Sequence, residues 1–129
     1  MMTVRCKTQT VNRPDRPDGE NEFYYLEVGK NYRVYGFGYA LKSMGYLIMP
    51  HKDAWYPSFE PAELFEDPVG ELPWGYIIHA FRSPDDNLET LVAVPKCFEL
   101  PYFYDRLTDK YPEEVKIWKE FMDEIDKTV

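Results

Sequence analysis

At 129 residues the chain is the size of one domain with a single hydrophobic core, read as one unit over residues 1–129. Its net charge of −8 argues against a nucleic-acid partner, which draws on clustered Lys and Arg. The same charge suits a basic protein partner, or simply a surface kept soluble by repulsion. No run is apolar enough to span a bilayer, and MMTVRCKTQT lacks the apolar segment of a secretory signal, so a cytoplasmic protein is expected.

Eleven tyrosines, eight phenylalanines and three tryptophans favour pleated, half-buried surfaces, while eleven prolines imply short strands and fixed turns. Residues 3–10 alternate Val4 and Cys6 against Arg5, Lys7 and Gln9, which predicts an N-terminal strand at a sheet edge. The Pro-Asp stretch NRPDRPDGENE, residues 12–22, reads as a mobile loop, because its prolines forbid ladder bonding and its charges forbid burial. A strand over 23–28 and a tight turn at Gly29 and Lys30 lead into a long strand over 31–41. One face of that strand carries Tyr32, Val34, Gly36, Gly38 and Ala40; the other carries Arg33, Tyr35, Phe37, Tyr39 and Leu41. Two glycines on one face are costly unless the backbone bends or another element approaches closely. A turn at 42–45 then returns the chain into a strand over 46–49.

Residues 50–74 form an acidic aromatic loop, in which PAELFE (61–66) reads as one helical turn or a short extended piece. Strand alternation resumes over 75–81, and after a polar turn a second arm runs over 88–94. Residues 98–107 read as an irregular stretch with a short helical turn. Over 112–127, Val115, Trp118, Phe121, Met122 and Ile125 recur at three- and four-residue steps, the mark of an amphipathic helix opened by Pro112. The expected fold is therefore α+β: a curled antiparallel sheet or small β-barrel of five to six strands with one C-terminal α-helix.

No catalytic set can be assembled. The two histidines stand apart, His51 beside Asp53 and His79 inside a strand, and no Gly-rich loop precedes a helix. Cys6 and Cys97 make neither a disulfide framework nor a spaced metal motif, and two reduced thiols are expected. No cofactor and no metal are expected, and the chain reads as a non-enzyme. Between Lys52 and Arg82 there is no Lys or Arg, whereas Asp53, Glu60, Glu63, Glu66, Asp67 and Glu71 all fall there. Trp55, Tyr56 and Phe59 are interleaved with these acids, the combination of stiff aromatic anchors and steering charges found where proteins dock. Asp53, Trp55, Tyr56, Phe59, Glu60, Glu63, Glu66 and Asp67 are thus the expected partner-binding residues. The plainer reading is a loop folded over the sheet with its acids in water. A different reading is a small-ligand or enzymatic barrel whose pocket is lined by Tyr35, Phe37, Tyr39 and His79. A third makes the C-terminal helix the docking element of a regulatory subunit.

The strings VGKNYRVYGF (28–37), YLI (46–48), PAELFE (61–66) and FYDRL (103–107) resemble a set of small acidic, mostly uncharacterised bacterial proteins. Some proteins of this kind are immunity proteins that bind and neutralise a toxin domain, often a nuclease. The resemblance implies that role and a basic toxin domain as partner. It supplies no catalytic residues.

Overall fold

In a computed structural model of the chain, the described residues are 1–12, 21–40, 43–72, 76–82 and 88–127. Among these residues nine strands precede two α-helices: β1 (Thr3–Arg5), β2 (Thr10–Asn12), β3 (Asn21–Phe23), β4 (Asn31–Arg33), β5 (Gly36–Ala40), β6 (Ser43–Ile48), β7 (Ser58–Pro61), β8 (Tyr76–Arg82) and β9 (Leu88–Pro95), then α1 (Phe103–Thr108) and α2 (Pro112–Lys127). The fold is α+β, with a five-stranded antiparallel sheet in the order β7-β6-β5-β9-β8 and two separate pairs, β1 with β4 and β2 with β3. The sheet does not close into a barrel, since β7 and β8 stand at its two ends.

The strand expected over 31–41 is divided between two sheets. The Val34 amide donates to the Met2 carbonyl at 2.9 Å, and the next amide, Tyr35, donates to Leu47 at 2.8 Å. Consecutive side chains of an extended chain point to opposite sides, so Val34 and Tyr35 enter different cores. Val34 joins Val4, Tyr32, Ile48, Leu64 and Phe65; Tyr35 joins Leu47, Val94, Phe103, Leu107, Trp118 and Ile125. Leu47 and Ile48, both fully buried, repeat the division on β6. One end of the sheet is therefore covered on both faces, by the helices on one and the N-terminal ribbon on the other.

The N-terminal run is likewise broken. After β1 the chain makes a single bridge from Cys6 to Phe65, and the amides of Lys7 and Thr8 both donate to the Leu64 carbonyl. The strand expected over 23–28 is not formed beyond Phe23, the last residue of β3; after it Leu26 is buried and its carbonyl accepts from Gln9 Nε2 at 2.7 Å. The stretch expected as a mobile loop over 12–22 is paired at its ends, where Asn12 faces Asn21 and Val11 faces Glu22; residues 13–20 lie outside the described residues. The turn expected at 42–45 is shifted, because Ser43 to Gly45 already pair with β5, and residues 41–42 lie outside the description.

The helix α2 spans the predicted residues, and its wide apolar face packs against Tyr35, Leu47 and Val94. Glu114 in its first turn is buried rather than exposed, and it accepts from Arg106 Nε of α1 at 2.7 Å. Cys6 and Cys97 are free thiols in the two different cores. Burial raises both, Cys97 to about 11, so both remain protonated at neutral pH. No helix of the described residues is long and apolar enough to cross a membrane.

Candidate functional site

The segment expected as one acidic aromatic loop contains an edge strand and a helical turn. Ser58–Pro61 forms β7, with Phe59 opposite Leu47 and Glu60 opposite Tyr46, and Ala62–Leu64 forms a 3-10 turn. Two features stop this segment from being free. Tyr104 donates its hydroxyl to the carbonyl of the buried Pro57 at 2.7 Å, and the chain after Leu64 is tied to β1. That tie consists of the Glu66 amide on the Arg5 carbonyl and a reciprocal pair of backbone bonds between Thr3 and Val69.

The eight expected partner-binding residues fall into groups by what they touch. Trp55 is half-buried and donates Nε1–H to the Leu107 carbonyl at 3.1 Å, with Lys110 Nζ over its ring at 4.8 Å. Tyr56 stands edge-on to Trp55 and to Tyr104, at 5.3 and 6.5 Å between ring centres. These two aromatics fasten the loop to α1, and Asp53 sits exposed in the turn before them. Phe59 and Glu60 belong to a second group. Together with Tyr24, Tyr39, Met44 and Pro61 they line an apolar cavity of about 310 Å³. Glu63 joins its rim through Ser43, whose Oγ donates to Glu63 Oε1 at 3.2 Å. Glu66 and Asp67 follow along the same segment, exposed and beyond the cavity lining.

Glu60 is the one acid of the group held partly out of water. Burial raises its carboxyl above the ordinary value, against the opposing pull of the hydrogen bond from Ser58 Oγ at 2.8 Å. A carboxyl raised on folding binds its proton more tightly in the folded state, so its cost to stability accrues as pH rises. The cost begins near the unfolded value of about 4.3, is complete above the folded value, and vanishes at lower pH. Glu60→Gln keeps an acceptor for Ser58 and removes the charge. The variant is expected to melt above the parent at pH 7 and level with it at about pH 4. Thermal unfolding across that range checks this; a constant difference would show that desolvation of the carboxylate is not its source.

Of the residues considered from the sequence for an aromatic pocket, Tyr35 and Tyr39 line different cavities. Tyr35 is buried edge-on to Trp118 at 5.5 Å between ring centres, whereas Tyr39 lines the cavity beside β7. The side chain of His79 lies outside the described residues. Among the described residues no group of three or more His, Cys, Asp or Glu is placed to hold a metal ion. Sequence reasoning missed Tyr24 and Met44 as members of the cavity, because Met44 is brought to β7 by the register of β6 and Tyr24 comes from the chain after β3, in a separate sheet. No family model, curated protein or solved structure matches the chain.

Proposed function

We propose that this chain is a non-enzymatic, cytoplasmic binding protein that holds a basic partner along β7, and that it serves as an immunity protein neutralising a basic bacterial toxin domain. One observation carries the reading. The open edge of the sheet places an apolar cavity of about 310 Å³ beside the carboxylates Glu60 and Glu63, with Glu66 and Asp67 further along the same segment. Phe59 and Met44 are each 41% exposed at that cavity, offering apolar contact, and the acids would steer a cationic surface towards it. The outer side of β7 also presents backbone groups to which a partner strand can pair. Against a nuclease, carboxylates in this position would stand where nucleic-acid phosphates bind.

The test is affinity capture from the native cell, followed by reconstitution with the purified captured protein. The expected partner is basic, its toxicity is blocked by co-expression, and its association slows roughly tenfold between low and high salt. A triple substitution Glu63→Gln, Glu66→Gln and Asp67→Asn should slow association while leaving dissociation nearly unchanged. Association indifferent to ionic strength would remove the steering role. Retention of a small molecule in the β7 cavity, with no protein captured, would favour the second reading, a ligand-binding protein using the same apolar walls.

A further inference from the structure

A second cavity, of about 220 Å³, opens where β4 meets the segment after β6, and its chemistry is the reverse of the first. Lys30, Asn31 and Arg33 contribute from the β4 side, His51 and Lys52 from the other, with Tyr35 alongside. Lys30 Nζ lies 5.1 Å from the centre of the Tyr32 ring, a cation–π contact that orders its stem. Arg33 is held by an ion pair with Asp126 of α2 and remains 39% exposed, so donors of its guanidinium are left over. Among the described residues neither Lys30 nor Lys52 has a carboxylate at ion-pair distance. The chain carries 23 acids against 15 basic residues, so cations would more readily meet carboxylates than one another. Gathering three of them around one concavity costs repulsion that a bound anion would offset.

We infer that this cavity is an anion site for the phosphate group of a small phosphorylated molecule. Two ammonium groups free of carboxylates match a dianion, where a single carboxylate would call for one. The spare guanidinium donors of Arg33 suit phosphate oxygens, and Asn31 and His51 add further hydrogen-bonding groups. The volume falls below the roughly 300 Å³ at which sites for whole drug-sized ligands begin, which fits a phosphate head with the rest of the molecule outside. The site is independent of the β7 edge and does not rest on the function proposed for it.

Inorganic pyrophosphate is the probe, titrated by calorimetry and followed by backbone amide shifts at ionic strength held constant with sodium chloride. Saturable one-to-one binding is expected, with shifts confined to residues 30–33 and 49–52. Lys30→Ala and Lys52→Ala should each weaken it about tenfold, and Lys116→Ala, on α2, should leave it unchanged. Thermal unfolding of each variant beside the parent establishes that the exposed lysines are dispensable for folding. Equal shifts from sodium acetate would overturn the inference by reducing the effect to general screening, as would unchanged affinity in both lysine variants. An oligonucleotide bound more tightly than pyrophosphate through the same lysines would overturn the assignment to a small molecule.

Discussion

Trp118→Ala is expected to cost about 3–5 kcal/mol, the range for removing a large aromatic from a packed core. Whole domains are stable by only about 5–15 kcal/mol, so the variant should be partly unfolded under mild conditions. Trp118 is fully buried and sits at the centre of the helix-side core. Its ring stacks on Phe121 at 5.3 Å and meets Tyr35 and Phe98 edge-on at 5.5 and 6.0 Å. Deleting it leaves a void that Tyr35, held between β4 and β5 by its amide bond to the Leu47 carbonyl, cannot close. Among the described residues the indole Nε1–H has no hydrogen-bond partner, which takes back part of what the ring contributes. Trp118→Phe removes that unpaired donor while keeping most of the stacking surface, and should therefore cost much less than alanine. Urea unfolding of the two variants checks both statements. A loss of under about 1 kcal/mol for alanine would mean that the α2 contact does not carry this core.

The elements that could be read from the sequence are those whose pattern is local. Trp118, Phe121, Met122 and Ile125 repeat at helical steps, and α2 spans the residues they mark. The paired arms β5–β6 and β8–β9 follow from alternation on either side of turn residues. What escaped is what depends on distant partners. β7 is four residues ending in a proline, and it is a strand only because β6 offers its free edge. The division between Val34 and Tyr35 leaves the run of alternating side chains unbroken, since both are apolar enough to be buried and each has its own core. Glu114 has the position of an exposed acid favoured by the helix dipole, yet Arg106 on the preceding helix draws it inward. Trp55 has the composition of an interface anchor, but its indole is taken up by a carbonyl fifty-two positions later. Of the candidate site, the acids and Phe59 could be seen in advance. The cavity could not, because Tyr24, Tyr39 and Met44 reach it from separate segments.

Gly36→Ala should be the costliest small substitution in the sheet, at about 2–3 kcal/mol. A glycine-to-alanine change at an unstrained position ordinarily stabilises by roughly 0.4–1 kcal/mol through the unfolded chain, so the sign here is set by space. A methyl group at Gly36 would stand 2.5 Å from the Ala93 carbonyl oxygen and 3.4 Å from Leu47 Cδ2. The leucine can turn aside, but the carbonyl is backbone of β9, which is flanked by β5 on one side and β8 on the other. Moving it disturbs the pairing of Phe37 with Ala93 and draws Val94 away from the helix-side core. Gly45→Ala is the comparison. Its methyl would meet the Glu60 carbonyl at 3.2 Å, and β7, which has no strand beyond it among the described residues, can yield by a few tenths of an ångström. Its cost should stay under about 1 kcal/mol. Denaturant unfolding should therefore rank the parent first, Gly45→Ala second and Gly36→Ala last. The opposite order of the two variants would show that β9 yields more easily than β7. The glycines of this sheet would then reflect the outer edge rather than the close approach of β5 and β9.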